Sequence, residues 1–253
     1  MTSPTSILLQ ITGSGKLGRE EAMMADVATQ RGIPVVRASE KQVERAKIAM
    51  PPGMVAVGSV PFIKHAIRQM GSSLPEHTPY PKALESLLFR SVKKLSSIRD
   101  AKLMLDDGKR FFIKPADGWK RFTGFVAEFS HDYRFNGMSN SKPVWVSDPV
   151  NFVSEWRAYV AKDVVREVKF ADHGGDRTVV PDLSVIEGAV NMLAATGSAP
   201  SGYVIDFGVL NTGETALIEM NDGFSFGAYD GLLPETYWDV TVNRWLQLTN
   251  YTN

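Results

Sequence analysis

Two short stretches hold the residues best suited to chemistry. In "VIDFGVLNTGETALIEMND" two strand-like runs are joined by a turn at "NTGE". Side chains alternate along a strand, so Leu217, Glu219 and Asn221 are expected on one face of the second run, and Val204, Asp206 and Gly208 on one face of the first. Pairing as a hairpin would bring Asp206 beside Glu219 and Asn221. Two carboxylates and an amide oxygen are hard oxygen ligands, suited to Mg²⁺ with bound phosphates. Buried among apolar neighbours without a cation, the same acids would be costly. The alternative is a solvated hairpin with scattered charges. In "FIKPADGWKRFTG", Lys114 ends an apolar strand, and Lys120 and Arg121 follow in a glycine-containing loop. Lysine presents a compact point charge to a phosphate, and such a loop can close over phosphate oxygens with its backbone N–H groups. The alternative is a surface loop with ordinary lysines.

A third stretch, "ITGSGKLGRE", places Gly13, Gly15 and Gly18 as G-x-G-x-x-G after a strand and before a helix. That is the dinucleotide fingerprint, with Glu40 near the acidic position and Arg37 suited to a 2′-phosphate. A P-loop fits less well, because Gln10 and Leu17 stand where glycine and Ser or Thr are needed. The plain alternative is a tight strand-to-helix turn. The α/β pattern ends near residue 75, whereas a dinucleotide domain needs two mononucleotide halves.

The elements that must position these residues follow from periodicity and breakers. "SILLQIT", "IPVVRAS" and "MVAVGSV" read as strands, with helices at "GREEAMMADVATQRG" and "PFIKHAIRQMG". "SSLPEHTPYP" is a linker. "KALESLLFRSVKKLSSIRDAKLMLDDG" has helical spacing throughout, predicting one interrupted helix or two. "RFFIKP", "FVAEFS" and "VWVSDPV" are strands. "EWRAYV" and "VVREVKF" form a hairpin turning at "AKD", and helices follow near 183–195 and 235–248. Among the remaining polar residues, "FADHGGDR" fits no strong metal pattern despite Asp172, His173 and Asp176. Lys169 is a further candidate for the phosphates. "DGFSFGAYDG", with Ser225 and Tyr229, is either a substrate loop or a flexible connection.

The composition excludes several classes. With no cysteine among 253 residues there is no disulfide, thiolate nucleophile, cysteine zinc site or iron–sulfur cluster. Lys+Arg and Asp+Glu both number 28, so no global basic field points to nucleic acid, although a local basic cleft stays open. No apolar run reaches the length of a membrane span, and the beginning of the chain lacks the basic region of a signal peptide. A cytoplasmic protein is expected.

Taken together, the pieces from "YPKALESLLFR" through "FIKP", "KRFTGFV", "VWVSDPVNFVSEWRAYV" and "YVIDFGV" to "LIEMNDGFSFGAYDG" resemble the ATP-grasp superfamily of carboxylate ligases. The likeness is to the clade whose signature is one arginine and two lysines, RimK-like and amidoligase-type. The resemblance implies an α/β fold of α+β lobes: an N-terminal α/β domain (1–75), a small ATP-grasp lobe (76–145) and a large lobe carrying the Mg²⁺ site (146–253). It implies adenine against the backbone near Trp145 and Val146, with Leu217 packed on it. Lys114 and Lys120 hold phosphates, and Asp206, Glu219 and Asn221 match the Mg²⁺ ligands. Arg157 matches an arginine near the transferring phosphate, with Glu155 able to orient it. Arg90 matches the clade's arginine and is grouped with Arg157 and Lys120 as catalytic. The implied reaction is ATP- and Mg²⁺-dependent amide formation between a carboxylate and an amine, through an acyl phosphate. The substrates are small molecules or peptides. In that setting Gly13–Lys16 faces the substrate or merely turns. Changing Lys114 to Ala, or Asp206 to Asn, is expected to cost turnover far more than stability. The competing readings are an NAD(P)-dependent oxidoreductase using the Gly13–Gly18 loop and a non-catalytic nucleotide-binding module.

Overall fold

The computed structural model describes residues 3–116, 122–171 and 174–251. Three sheets organise these residues. The first is parallel, in the order β2-β1-β3, formed by β1 (Ser6–Gln10), β2 (Val35–Ala38) and β3 (Met54–Val57). Helices α1 (Arg19–Gln30), α2 (Glu40–Glu44) and α3 (Val60–Gln69) connect and flank it. Ser39 and Ser59 cap α2 and α3 by accepting from Gln42 and Phe62 N–H groups, which fixes where each helix starts. These three strands amount to one mononucleotide half; the chain then leaves along the linker.

The stretch expected to be helical from Lys82 onward behaves differently. Lys82–Leu87 is a 3₁₀ helix, Val92–Leu95 is a strand (β4), and only Ile98–Asp106 is an α-helix (α4). The apolar residues of "SVKKL" satisfy a helical period, but β4 gains its backbone partners from β7 (Val144–Ser147), far along the chain. Tertiary pairing overrides local spacing here. β4 and β7 join β5 (Phe111–Pro115) and β6 (Phe125–Ala127) in an antiparallel sheet ordered β4-β7-β5-β6. Its own core holds Ile98, Leu105, Ile113, Phe125, Phe135 and Val144. This sheet runs to Ser147, two residues past the expected lobe boundary at 145.

The third sheet, ordered β11-β10-β8-β9, is antiparallel. It contains β8 (Phe152–Ala161), β9 (Val164–Phe170), β10 (Gly202–Leu210) and β11 (Thr215–Asp222). The expected hairpin turn between β8 and β9 is tight, with Lys162 and Asp163 at φ 51° and 58°. One face of the sheet packs on α5 (Leu183–Ala194) and on Leu84 and Leu88, in and just after the 3₁₀ helix. The other face packs on α6 (Pro234–Leu248), which is shared with the N-terminal unit. Trp245, fully buried on α6, donates its indole N–H to the Met54 carbonyl of β3 at 2.7 Å. The N-terminal unit and the large lobe therefore share one apolar core.

Candidate functional site: an acid pair between two sheets

The register of the β10–β11 hairpin sets Asp206 directly opposite Glu219. A bulge makes this possible: Phe207 faces Leu217, Asp206 faces Glu219, and Ile218 is the extra residue. Strict alternation would have kept Leu217 and Glu219 on one face. The bulge instead turns Leu217 to the opposite face, where it is 0% exposed among Tyr203, Ile205 and Phe207. The expectation that Leu217 packs on adenine is thereby corrected: it is sealed in the core behind the strand. Ile218, partly buried at the bulge, is nearer the carboxylates in sequence.

Each acid has its own cation. Asp206 (7% exposed) accepts two hydrogen bonds from Arg157 (9% exposed) on β8, Nε at 2.7 Å and Nη2 at 2.8 Å. This fork-to-carboxylate pair is the strong geometry for arginine. Burial raises the Asp206 carboxyl, and the Arg157 charge and hydrogen bonds oppose that rise. Arg157 also lies over the Tyr229 ring, 4.6 Å from its centre, and donates to the Gly227 carbonyl at 3.2 Å. Glu219 receives the Lys114 ammonium of β5 at 2.5 Å and the Asn221 amide N–H at 2.9 Å. Burial pushes the Glu219 carboxyl up, but the Lys114 charge and the bonds from Asn221 and Lys114 outweigh it and hold it at about 2. Lys114 is itself raised: burial would lower it, and Glu219 and Tyr80 overcome that. The Lys114–Glu219 bridge joins the small-lobe sheet to the large-lobe sheet.

The donor set fits a divalent cation. Asp206 and Glu219 are adjacent acids, and the Asn221 amide, donating through its nitrogen, keeps its carbonyl oxygen as an acceptor. Among the described residues no three His, Cys, Asp or Glu side chains converge on a common metal position, so the candidate ligands are two carboxylates and one amide.

The other expected residues are placed as follows. Trp145 and Val146 lie on β7, which has β4 on one side and β5 on the other. A strand paired on both edges spends its backbone groups in the ladders, so the adenine-binding role assigned to the backbone there is corrected. The connection that leaves the sheet begins at Asp148, whose N–H still bonds the Ser91 carbonyl at 3.1 Å. The Trp145 ring instead meets Tyr80 edge-on at 5.0 Å, and the Lys114 ammonium lies 4.5 Å from the Tyr80 ring centre. Arg90 donates to the Leu217 carbonyl at 2.7 Å, Ile218 at 2.9 Å and Leu88 at 3.0 Å, so its guanidinium is engaged with the backbone of β11. Lys120 and Arg121 lie outside the described residues, as do Asp172 and His173. Lys169 pairs with Glu167 at 2.5 Å, and Glu167 also accepts from the Leu233 N–H at the start of α6.

Tyr80 is a site residue that sequence reasoning missed. It touches both Lys114 and Trp145, yet in the sequence it is one aromatic in a proline-rich linker. The loop after β11 is held rather than free. Ser225 donates to the Gly58 carbonyl at 3.1 Å, Tyr159 to the Gly227 carbonyl at 3.2 Å, and the Ala228 N–H to Glu20 on α1 at 3.1 Å. These bonds bring the N-terminal unit beside Arg157. The glycine loop itself is an exposed turn: the Gly15 N–H bonds the Thr12 carbonyl at 2.9 Å, with Gly15 at φ 76°, where a side chain is disfavoured. A cavity of about 400 Å³ lies on the face of β11 away from Glu219, lined by His77, Asp222, Phe224 and Arg244.

Comparison with known proteins bears on the family and the fold. A family profile for the ATP-grasp domain, family 2 of the clade named for one arginine and two lysines, matches residues 90–240. Among solved structures, the chain is similar to a RimK domain protein ATP-grasp from Sphaerobacter thermophilus, at 11% identity over 97% of this chain and 99% of that one, with a TM-score of 0.55. It is similar to a D-alanine–D-alanine ligase from Bacillus anthracis at 12% identity, covering 98% and 99%, with a TM-score of 0.55. A D-cycloserine synthetase matches at 13% identity over 85% and 91%, with a TM-score of 0.53. At these identities the likeness shows the fold. No curated protein matches the sequence.

Proposed function

The chain belongs to the ATP-grasp family, in the second family of the one-arginine, two-lysine clade, and from that premise we propose that it is an ATP- and Mg²⁺-dependent ligase that joins a carboxylate to an amine. One observation carries the reading: two register-paired acids, each countered by a cation from a different strand, lie where the small-lobe sheet meets the large-lobe sheet.

Asp206, Glu219 and Asn221 would hold Mg²⁺, which when bound supplies positive charge among phosphate oxygens. Lys114 holds a phosphate oxygen by charge and hydrogen bond; its raised pKa keeps the ammonium protonated at neutral pH. Lys120 is assigned the same task. Arg157 presents its remaining guanidinium protons to the transferring phosphoryl group while Asp206 fixes its plane. In the first step the substrate carboxylate attacks the γ-phosphorus, releasing ADP and leaving an acyl phosphate. In the second the amine displaces phosphate and the amide forms. The protein's work is to position three anionic groups and neutralise their repulsion. Ser225 and Tyr229, beside the N-terminal unit, face the substrate side. Small molecules or peptides supply the carboxylate and the amine. We place the reaction in the cytoplasm, where ATP is available; no described helix is long and apolar enough to cross a membrane.

The test is incubation with ATP, Mg²⁺ and a panel of amino acids and short peptides, scored for ADP and for a product of condensed mass. Release of ADP that depends on Mg²⁺ and on one substrate pair is expected. ATP binding with no ADP under any mixture would overturn the ligase reading.

A further inference from the structure

Arg90 stands apart from the other candidates because its guanidinium bonds backbone carbonyls and the Tyr80 side chain and makes no hydrogen bond to either acid. It donates to two successive carbonyls of β11, Leu217 at 2.7 Å and Ile218 at 2.9 Å. In a regular strand successive carbonyls point to opposite edges, so one side chain reaches only alternate ones. The extra residue at Ile218 turns both carbonyls to the same edge. That edge is the outer one, since β11 ends its sheet. It is further closed by the bond from the Met220 N–H to the Pro79 carbonyl at 2.9 Å. A planar fork of donors matches two neighbouring carbonyls better than an ammonium does.

The approach to Arg90 is itself strained. Phe89, just before it, has φ 51°, a left-handed conformation disfavoured for a bulky L-residue, and the residue is about half exposed. Burial of Phe89 therefore does not explain the strain. The same bend lets Arg90 bond back to the Leu88 carbonyl at 3.0 Å and reach β11.

We propose that Arg90 is a positioning residue: it holds the bulge at Ile218 and so sets Glu219 opposite Asp206. Without the bulge, the pairing of Phe207 with Leu217 would continue as Asp206 with Ile218. Glu219 would then turn to the face packed on α5, because a one-residue slip moves side chains across the sheet. This inference rests on the reading of Asp206 and Glu219 as metal ligands only through its metal readout.

The experiment uses the full chain with Mn²⁺ as the probe, in the presence of a non-hydrolysable ATP analogue, with free Mn²⁺ followed by electron paramagnetic resonance. The variants are Arg90→Gln, Arg90→Lys and Glu219→Gln. Hydrogen exchange of the peptide spanning residues 215–222 is measured alongside. For Arg90→Gln we expect Mn²⁺ affinity about tenfold weaker, as for other residues that orient metal ligands. Affinity for the analogue without metal should stay within about twofold of wild type, and the 215–222 peptide should exchange faster. Arg90→Lys, which can hold one carbonyl, falls between, and it serves as the folded comparison if the glutamine variant is unstable. Wild-type Mn²⁺ affinity and exchange in both Arg90 variants overturn the proposal. So does an equal loss of metal-free analogue binding, which would make Arg90 a direct nucleotide ligand. If Glu219→Gln leaves Mn²⁺ affinity unchanged, the metal reading fails, and the exchange data alone decide whether Arg90 holds the strand.

Discussion

Asp206 and Glu219 are register partners, and among the described residues each makes its ion pair with a different cation: Arg157 holds one and Lys114 the other. This changes what substitution does. An acid whose only role was to bind a ligand could be lost without harming the fold. Asp206 instead sits in a buried ion pair, and breaking such a pair strands its partner's charge. Asp206→Asn is therefore expected to lose about 3 kcal/mol of stability by urea denaturation, in addition to its activity. The double variant Arg157→Met/Asp206→Leu should be more stable than either single one, since an apolar pair replaces a desolvated ionic pair. A double variant as unstable as Asp206→Asn would show that the ion pair is not the reason. Lys114→Ala should weaken ATP binding at least tenfold, the scale of a lost charged contact, with isothermal calorimetry as the measurement. It also leaves Glu219 short of its cation, so some stability goes with it. The acids and Lys114 are legible in the sequence because charged residues bounding apolar strands stand out. The Arg157–Asp206 pair is not, because it depends on β8 lying next to β10, and sheet order is not written in either strand.

At the scale of elements, hairpins can be read and long-range partners cannot. The β8–β9 and β10–β11 hairpins announce themselves by alternation on both sides of a short polar turn. The bulge at Ile218 carries no such mark, and it alone moves Leu217 from the expected nucleotide face into the core. β4 is hidden for a related reason. Its four residues are stabilised by β7 and by the Glu76–Lys94 ion pair at 2.8 Å, neither of which is local. The β8–β9 turn offers a test that touches no site residue. Asp163 adopts φ 58°, which costs a non-glycine residue roughly 1 kcal/mol. Asp163→Gly should raise stability by about 0.5–1 kcal/mol, because this turn type accepts glycine there. The checks are the denaturation midpoint and unchanged ADP production; a lower midpoint would mean that Asp163 contributes contacts beyond the turn.

For the whole molecule, the three sheets are not three equal bodies. The N-terminal unit and the large lobe share a core through α6, whose Trp238, Val242, Trp245 and Leu246 belong to one buried cluster with Met54, Val55 and Ile63. The small lobe keeps its own core. It reaches the large lobe at the site through Lys114 and Glu219. The expected division at residue 75 thus marks a change of pattern along the chain and not a separable piece. The shift from alternating α/β to antiparallel hairpins is visible in the sequence, but the burial of α6 against β3 needs the tertiary fold. This arrangement predicts how ligand acts on stability. On the proposed reading, a nucleotide held by Lys114 on one lobe and, through Mg²⁺, by Asp206 and Glu219 on the other would bind only when the lobes are together. Its binding energy therefore adds to their association. At free ATP·Mg²⁺ of about 100 times the dissociation constant the gain is about 2.7 kcal/mol, read as a rise in thermal midpoint. Chelation of the metal with ATP still present should remove most of that rise, and Glu219→Gln should show little of it from the start. A rise that persists in full after chelation would place the nucleotide on the lysine side alone and detach it from the acid pair.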